Sequence, residues 1–591
     1  MRRSILTIVG LWLLLYASFT LLRPPLLDDA DSVHAEVARE MVARHDWVTL
    51  HANGLRYLEK APLMYWAMAA SFELFGAKDW AARLPLAFAT LALFLAVYAT
   101  GRRMFASDIS GFYAALILLT SFGIFIYTRI LIPDVIVCLW LSVAILLFWI
   151  SLQQPQPSRS TAWGFAAACA LNVLTKGLIG VVFPVAIVLI FLLLNRNLGH
   201  LRRWHPFSSL LVFLVIALPW HIAAGVANPA QGHPMGTMPT PGNVHGFFWF
   251  YFVNEQFLRY LNRRVPRDYD TVPLLLFWGL LGLWLAPWIA FVFRAIVPVR
   301  IRSSLRRVRL PAHDQAWNLL GLWAAFVMAF FSFSTRQEYY VLPSLPALAL
   351  LIGDWLARHA DASLSSRTQS KWLLFAAGLC GAAVALFFAL RSGPPHGDLA
   401  AALSTNPGEY ALSFGHFLDL STRAMAFFRI PLLLTAFALF IGTGGYLTLR
   451  GHSAIGALAA GAVLFLIAAH MALVTFSPVL SSATLADALR SVLRPEDVIV
   501  LNGEYESGST LSFYLHRQVR ILNGRSSNLW YGSFFRDAPA IFDDNASIAD
   551  LWTGPHRIFL LTDAAHPPHL PGAVYAIAVS EGKAVLSNRP Q

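Results

Sequence analysis

Charged residues are scarce in this chain of 591 residues: Asp, Glu, Lys and Arg together make up 13% of it, whereas hydrophobic residues make up 57%. A soluble domain normally carries about 25% charged residues. This shortage excludes a water-soluble globular enzyme, and it equally excludes a disordered or coiled-coil protein. The lipid bilayer is therefore the solvent for most of the chain.

Cysteine is also rare, and no concentrated basic face is present. Cys138, Cys169 and Cys380 each lie inside an apolar run without metal-ligand spacing, so we interpret them as packing residues. The formal net charge is +12, but the Lys and Arg residues cluster between apolar runs. This distribution is typical of membrane topology, because basic loops are retained in the cytoplasm, and it does not indicate nucleic-acid binding.

Long apolar runs are abundant. The first run, 5–22, ends in Arg23-Pro24-Pro25 without a signal-peptide cleavage pattern, so we interpret it as a retained span. Further runs long enough to cross about 30 Å of hydrocarbon begin near Leu84, Ile109, Pro133, Ala162, Leu178, Phe207, Val272, Ala316, Tyr340, Trp372, Ile430 and Ile455. The sequence thus predicts a polytopic α-helical membrane protein with about thirteen transmembrane helices, which occupy residues 1–476.

The basic residues predict the topology of these spans. Arg102-Arg103, Arg202-Arg203 and the stretch Arg294–Arg309 fall in alternate loops, as do Arg367 and Arg450. The positive-inside rule places those loops in the cytoplasm. We therefore expect a cytoplasmic N-terminus and a C-terminus on the outer side of the membrane.

Three segments have a less apolar composition, and all three fall on the predicted outer side. Residues 23–83 show amphipathic helical patterns, and 225–271 form a long loop rich in Pro, Gly and aromatic residues. Residues 477–591 are predicted to form a small α/β domain on the extracytoplasmic face, with short strands at 497–501, 519–522 and 557–561.

Polar residues interrupt the apolar pattern in six stretches that all map to the outer membrane boundary. A charged residue at membrane depth costs several kcal/mol and indicates a functional site. Six stretches on one face therefore predict a single polar site. The residues are Asp28, Asp29 and Asp31; Glu59 and Lys60; Asp134; Lys176; Glu255 and Arg259; and Arg336, Glu338 and Tyr340.

The chemistry of these residues indicates a lipid phosphate as substrate. Carboxylates suit general-base catalysis or a divalent metal ion, whereas Lys and Arg suit a phosphate. Structural alternatives remain for several residues. The acids at 28–31 and Asp134 are also typical helix caps, Lys176 is also explained as an interfacial lysine, and Arg259 with Arg263-Arg264 as head-group anchors.

The chain resembles the membrane-embedded glycosyltransferases of the C superfamily, in particular the bacterial aminoarabinose-transferase and protein-mannosyltransferase-like group. The resemblance begins with Asp28-Asp29-Ala30-Asp31-Ser32-Val33-His34-Ala35-Glu36 and continues through Tyr57-Leu58-Glu59-Lys60. Further matches are Leu174-Thr175-Lys176-Gly177, 248–259 and 330–343, so that it covers about the first 355 residues. The C-terminal domain matches only in general layout.

The resemblance implies a polyprenyl-phosphate-linked sugar as donor and a reaction on the periplasmic face. It implies that an acid after the first span is the catalytic base. Asp29 and Asp31 are both candidates, because the acidic motif is shifted by one residue and His34 replaces the family's tyrosine. Asp134 matches a second acid near the reaction centre. Glu59 matches an acid implicated in binding a divalent metal ion, and Lys60, Arg259 and Tyr340 match contacts to the donor phosphate. We add Lys176 and Arg336 to the predicted substrate-binding residues.

The expected reaction is one displacement with inversion at the anomeric carbon. The acceptor is a lipid, such as a lipid A-like molecule, or a protein; with a phosphate acceptor the base orients rather than deprotonates. Membrane lipids are expected partners, and nucleic acid is not. The alternative function is a lipid or sugar transporter, but the sequence shows neither internal repeats nor polar residues on both sides of the midplane.

Overall fold

The computed structural model describes residues 1–590 except 23, 268, 298–310, 361–367, 396, 398, 403–420 and 422. Most of the basic stretch predicted to be cytoplasmic, from 298 onward, lies outside the described residues, as does Arg367.

Helices dominate the chain up to residue 476. Their bounds are Arg2–Trp12, Leu13–Ala17 (a π-helical turn), Ser18–Leu22, Ala30–Arg44, Leu63–Phe75, Asp79–Phe105, Asp108–Leu119, Phe122–Ile126, Asp134–Leu152, Arg159–Lys176, Ile179–Leu194, Gly199–Arg203, Pro206–Ala227, Trp249–Leu258 (π-helical), Leu274–Trp284, Val292–Ile296, Ala312–Ser332, Leu345–His359, Thr368–Arg391, Arg429–Thr448 and Gly451–Phe476.

The multi-pass architecture predicted from the apolar runs is confirmed. Among the described residues, nine helices are long and apolar enough to cross a membrane, or ten if Leu274–Trp284 and Trp288–Ile296, which meet at 99°, form one bent span. The apolar helices Leu63–Phe75, Asp108–Leu119 and Ile179–Leu194 are shorter. The count of thirteen spans stays a prediction.

Small residues allow the membrane helices to approach closely. A Cβ atom on Gly353 would lie 2.5 Å from the backbone nitrogen of Ala114, and one on Gly101 would lie 2.8 Å from the Cα of Gly111. Because lipid is as apolar as the helices themselves, such close backbone packing is a main source of helix association in membranes. These contacts pack Leu345–His359 and Asp79–Phe105 against Asp108–Leu119.

The segment 23–83 contains the amphipathic helices that its pattern predicted, at Ala30–Arg44 and Leu63–Phe75. Between them, strands β1 (His51–Ala52) and β2 (Leu55–Arg56) form a short hairpin. Its turn residues, Asn53 and Gly54, have φ values of 50° and 82°. Asn-Gly tolerates two successive positive φ angles, which is the requirement of this tight turn.

The C-terminal residues form the predicted α/β domain. Its strands are β3 (Val498–Asn502), β4 (Arg520–Leu522), β5 (Phe542–Asp543), β6 (Ile558–Asp563), β7 (Tyr575–Ser580) and β8 (Lys583–Ser587), in the order β5-β4-β3-β6-β8-β7. Strands β5, β4, β3 and β6 run parallel, and the β7–β8 hairpin is antiparallel. The sequence patterns predicted β3, β4 and β6, which are buried, but missed the short edge strand β5 and the β7–β8 hairpin at the other edge.

This domain packs directly on the other two segments that were predicted to lie outside the membrane. Asn53 exchanges two hydrogen bonds with the backbone of Val519, at 2.8 and 2.9 Å. The amide of Gly242 donates to the carbonyl of Phe534 at 2.9 Å. All three segments therefore lie together at one end of the helical bundle, where the polar residues also converge.

Candidate active site

A cavity of about 380 Å³ lies where the helical bundle meets the three packed segments. Each of the six polar stretches contributes at least one lining residue. Of the predicted site residues, the cavity is lined by Asp29, Glu59, Lys60, Asp134, Lys176, Arg259 and Tyr340. The structure thus brings together residues that are more than 300 positions apart in the sequence.

Asp29 immediately precedes the helix Ala30–Arg44, and its side chain is exposed to the cavity. Its backbone has φ 69° and ψ −125°, a sparsely populated conformation for a residue with a Cβ atom. Such a conformation costs about 1–3 kcal/mol and persists only where its surroundings enforce it. The amide of Asp29 donates to the carbonyl of Glu506 at 2.9 Å and to Oγ of Ser509 at 3.0 Å.

The surroundings of Asp29 also change its acidity. Although the carboxyl group is open to the cavity, it lies deep within the protein, and this desolvation raises its pKa to about 6. The nearby carboxylate of Asp31 contributes to this rise in pKa, whereas Lys60 opposes it. A carboxylate with a pKa near 6 is ionised at neutral pH and is a stronger base than an ordinary aspartate.

Two cations, Lys60 and Lys176, line the same cavity as Asp29. Lys60 contacts Glu59 at 3.4 Å, and 29% of its side chain remains exposed. Lys176 donates to Oδ1 of Asp134 and lies 4.8 Å from the ring centroid of Tyr339. The second carboxylate oxygen of Asp134 is buried and has no hydrogen-bond partner among the described residues.

A third cation, Arg259, follows the π-helical segment Trp249–Leu258. Its Nη1 atom contacts Glu255 at 3.2 Å, and its guanidinium group lies 4.8 Å from the ring centroid of Tyr269. The Nε atom of Arg259 is buried without a hydrogen-bond partner within the described part of the chain. A buried guanidinium with a free donor beside a cavity is suited to bind an anion.

Glu59 and Glu255 share one arginine, which the sequence did not identify. Arg264 donates to Glu59 at 2.8 Å through Nη2 and to Glu255 through Nε, and its side chain is 2% exposed. The head-group interpretation of Arg264 is therefore wrong, because a buried arginine between two carboxylates does not reach a lipid surface. Burial by itself raises the pKa of the Glu255 carboxyl group. The guanidinium groups of Arg264 and Arg259 outweigh this effect, so the pKa is lowered.

Glu59, the predicted metal ligand, is already engaged by other side chains. Glu59 directs its carboxylate toward Arg264 and Lys60, and no group of three or more His, Cys, Asp or Glu residues suited to a metal ion occurs within the described ranges. A divalent cation needs several oxygen ligands that are not committed to a guanidinium group. The arrangement around Glu59 does not fit a resident metal ion.

Two predicted site residues lie outside the cavity lining. Asp31 accepts hydrogen bonds from the amides of Leu131 at 2.8 Å and Leu27 at 3.3 Å, and it contacts Arg83 at 3.5 Å. Arg336 donates to the backbone carbonyls of Val272, Ser332 and Ser334. Both side chains therefore use their hydrogen-bonding capacity to hold the backbone that surrounds the site.

His34 and Asn528 also line the cavity, although the sequence analysis assigned neither of them to the site. His34 places Nδ1 against the carbonyl of Leu131, and burial lowers its pKa to about 4, so that its ring is neutral at pH 7. Asn528 comes from the C-terminal domain. Nothing in the sequence pattern predicted that this domain reaches the cavity.

Comparisons with known proteins agree with this geometry. The family model of dolichyl-phosphate-mannose-protein mannosyltransferases matches residues 59–222. The undecaprenyl phosphate-α-4-amino-4-deoxy-L-arabinose arabinosyl transferase of Aeromonas salmonicida is 29% identical over 441 residues, which are 72% of this chain and 74% of that protein. The transferase of the same name from Edwardsiella ictaluri is 30% identical over 329 residues, 55% of this chain and little more than half (54%) of its own length.

The fold extends the similarity to the whole chain. The crystal structure of ArnT from Cupriavidus metallidurans bound to undecaprenyl phosphate superposes with a TM-score of 0.78 at 23% identity, covering 100% of this chain and 98% of that chain. Its apo form gives a TM-score of 0.76 at 22% identity, with 99% of each chain covered. Sequence similarity and fold together confirm the resemblance predicted from the motifs: the chain is similar to the aminoarabinose transferases over 72% of its length and shares the fold of ArnT throughout.

Proposed function

We propose that this protein transfers a sugar from a polyprenyl-phosphate donor to a lipid A-like acceptor. The names of the relatives favour undecaprenyl phosphate carrying 4-amino-4-deoxy-L-arabinose as the donor. A protein acceptor is the second candidate, because the matching family model describes protein mannosyltransferases. A transporter is not favoured, since the relatives are transferases and the polar residues surround one cavity.

The observation that carries the proposal is the arrangement of Lys60, Lys176 and Arg259 around a cavity that also contains Asp29. Three cations from separate elements suit a phosphate group. A base with a pKa near 6 on the same cavity suits an acceptor that must lose a proton. The membrane-embedded helices below the cavity provide the apolar surroundings that a polyprenyl chain requires.

The proposed mechanism is a single displacement. An acceptor oxygen attacks the anomeric carbon of the sugar while the bond from that carbon to the phosphate oxygen breaks, so that polyprenyl phosphate leaves and the configuration inverts. The proton of a hydroxyl acceptor passes to Asp29. An acceptor phosphate that is already ionised needs no deprotonation, and Asp29 then orients it.

The cations stabilise the leaving group. Lys60 and Arg259 face the negative charge that accumulates on the departing phosphate, and each such donor in a site shielded from water contributes about 3–4 kcal/mol. Glu255 and Arg264 hold Arg259 and Glu59 in place before substrate arrives, which reduces the cost of reorganisation. No step of this mechanism passes through a metal ion, since Glu59 contacts Arg264.

We further propose the orientation of the protein in the bacterial inner membrane. The N-terminal ammonium group contacts Asp108 at 3.0 Å, close to the basic pair Arg102-Arg103. This contact places the N-terminus on the same face as a loop that the positive-inside rule assigns to the cytoplasm. The cavity and the C-terminal domain then belong to the periplasmic side, where the acceptor is present.

The test is a transfer assay with the purified protein in lipid, polyprenyl-phosphate sugars as donors and lipid A or membrane protein as separate acceptors. Wild type is expected to form a glycolipid of inverted anomeric configuration, and Asp29→Asn and Lys60→Ala are each expected to lower the rate of product formation by at least about 100-fold. A retained configuration would contradict the displacement mechanism. Product only with the protein acceptor would contradict the lipid acceptor and leave the rest intact.

A further inference from the structure

The C-terminal domain contacts the acidic turn, residues 28–31, at the start of the helix Ala30–Arg44. The carboxylate of Asp28 accepts hydrogen bonds from four donors, all of which lie in residues 477–591. They are Nζ of Lys583 at 2.7 Å, Oγ of Ser482 at 2.8 Å, and the amide and Oγ1 of Thr510 at 2.9 and 2.6 Å. Asp28 is thus a structural ligand of the C-terminal domain.

The same domain holds the backbone on both sides of that side chain. The amide of Asp28 donates to the carbonyl of Leu480 at 2.8 Å, and the amide of Asp29 donates to the carbonyl of Glu506 at 2.9 Å. Asp29 is the residue with the strained φ of 69°. The bonds that enforce the strained conformation therefore come from a domain far away in the sequence.

Lys583 connects these contacts with one another. Besides Asp28, its Nζ atom donates to the carbonyl of Ser507 at 2.8 Å and to Oγ of Ser482 at 3.1 Å. Ser507 lies in the loop that carries Glu506 and Ser509, the two partners of the Asp29 amide. Lys583 does not line the cavity, so it holds the turn and the loop together without touching substrate.

We propose that the C-terminal domain positions the catalytic base, with Lys583 and Asp28 acting as a clamp that fixes Asp29 in its strained conformation. The proposal rests on the function assigned to Asp29 above. Lys583 and Asp28 are positioning residues, because both act through the backbone of Asp29. The domain is then a required part of the active site, in addition to any contact that it makes with the acceptor.

The charges around the clamp are consistent with this role. Glu506 lies next to Asp29, and burial together with the charge of Asp29 raises the pKa of Glu506 to about 8. At neutral pH Glu506 is therefore mostly protonated and adds little repulsion to the ionised base. The loop still opposes ionisation through Glu504, which raises the pKa of Asp29, but Glu506 adds little to that effect.

The experiment compares Lys583→Met with Lys583→Arg in the full chain, measured by the transfer assay. Misplacement of a reacting group by about 1 Å costs about 100-fold, so we expect Lys583→Met to lower kcat by about 10- to 100-fold. KM should stay within about twofold, because Lys583 does not contact the cavity. Lys583→Arg should restore kcat to within about threefold of wild type, since it preserves the charge–charge contact.

Arg520→Met is the matched control. Arg520 forms an ion pair with Asp543 at 2.7 Å in the same domain, away from the acidic turn. The Arg520→Met variant is expected to leave kcat unchanged. An equal loss of kcat in Arg520→Met, or a change in KM alone, would overturn the proposal, because either result indicates general destabilisation or altered binding.

Hydrogen–deuterium exchange provides a measurement that does not depend on activity. In Lys583→Met the amides of residues 26–33 should exchange at least about tenfold faster than in wild type, and in Arg520→Met they should not. Unchanged protection in Lys583→Met would overturn the clamp even if transfer by this variant is reduced. Absence of transfer by wild type would instead refute the proposed function, while the exchange data would still decide whether Lys583 holds the turn.

Discussion

The cavity and a second polar cluster, which surrounds Asp354 near the C-terminal end of the helix Leu345–His359, both contain charged residues in an apolar protein, but they differ in how completely those charges are paired. In the second cluster, buried Asp354 accepts hydrogen bonds from Ser110 at 3.0 Å, His313 at 2.7 Å, Trp317 at 2.9 Å and Arg358 at 3.0 Å. Both of its carboxylate oxygens are occupied.

In the cavity, by contrast, the charged residues are not fully paired. Arg259 and Asp134 each retain a buried polar atom without a partner in the described part of the chain, and Asp29 faces open space. A buried charge whose hydrogen-bonding positions are all occupied helps to hold helices together. A buried charge with a free position beside a cavity destabilises the folded protein, and substrate binding can offset that cost. Unused hydrogen-bonding capacity, more than charge in the membrane, distinguishes the candidate active site.

The largest effect is expected for Asp29→Asn. Loss of a general base lowers the rate of transfer by about 10²- to 10⁴-fold, measured as kcat in the lipid assay. Burial raises the pKa of Asp29, so its charge is unfavourable in the folded state, and the neutral variant should not unfold at a lower temperature. Glu73→Gln, an exposed acid on the helix Leu63–Phe75, is the control. A comparable loss in a stably folded Asp31→Asn would reassign the base to Asp31.

The next largest effect is expected for the cations. Lys60→Ala and Arg259→Ala should each lower kcat by about 10²- to 10³-fold, because each removes a donor that stabilises the leaving phosphate. The matched controls are Lys78→Ala and Arg263→Ala, which alter exposed neighbours of the same charge. A change in KM alone would show that the cations bind the ground state and the transition state equally and do not accelerate the chemical step.

The pH dependence gives a smaller effect. Asp29 must be ionised to act as a base, and its pKa is raised to about 6. Below that pH, kcat/KM should therefore fall about tenfold per pH unit. Lys60 lowers the pKa of Asp29, so Lys60→Ala should move this acidic limb to higher pH. If the acidic limb of the pH profile lies at the same pH in Asp29→Asn and Lys60→Ala as in wild type, another group is responsible for the titration.

Removal of divalent metal ions should change the rate by less than about twofold, since Glu59 is engaged by Arg264 and Lys60. The measurement is kcat in the transfer assay after dialysis against a chelator. A large loss that added Mg²⁺ or Zn²⁺ reverses would establish the metal ion at Glu59 that the family resemblance predicts.

The smallest effect on transfer is expected for Asp354→Asn, which tests the other side of the comparison. The variant loses a charge that accepts several hydrogen bonds, and we expect a loss of about 1–3 kcal/mol in the free energy of unfolding. The kcat of the folded protein should be unchanged. A fall in kcat without a fall in thermal stability would contradict a purely structural role for Asp354.

Much of the site was predictable because charges in apolar runs are conspicuous. Asp29, Glu59, Lys60, Asp134, Lys176 and Arg259 were identified in this way or through the family motifs, and all of them line the cavity. Arg264 was misinterpreted because a run of arginines near the membrane boundary has the same composition whether it faces lipid heads or two buried glutamates. Asp354 was overlooked because a single acid near a helix end is unremarkable in sequence.

The sequence by itself determined that the chain is a multi-pass membrane protein with a C-terminal α/β domain, because composition and the period of apolar residues are local properties. Only the tertiary structure decided which charges are satisfied by neighbours and which face the cavity. It alone showed that Lys583 holds the turn containing Asp29, a contact that joins the two ends of the chain. Such pairings depend on packing between distant segments, and no local pattern encodes them.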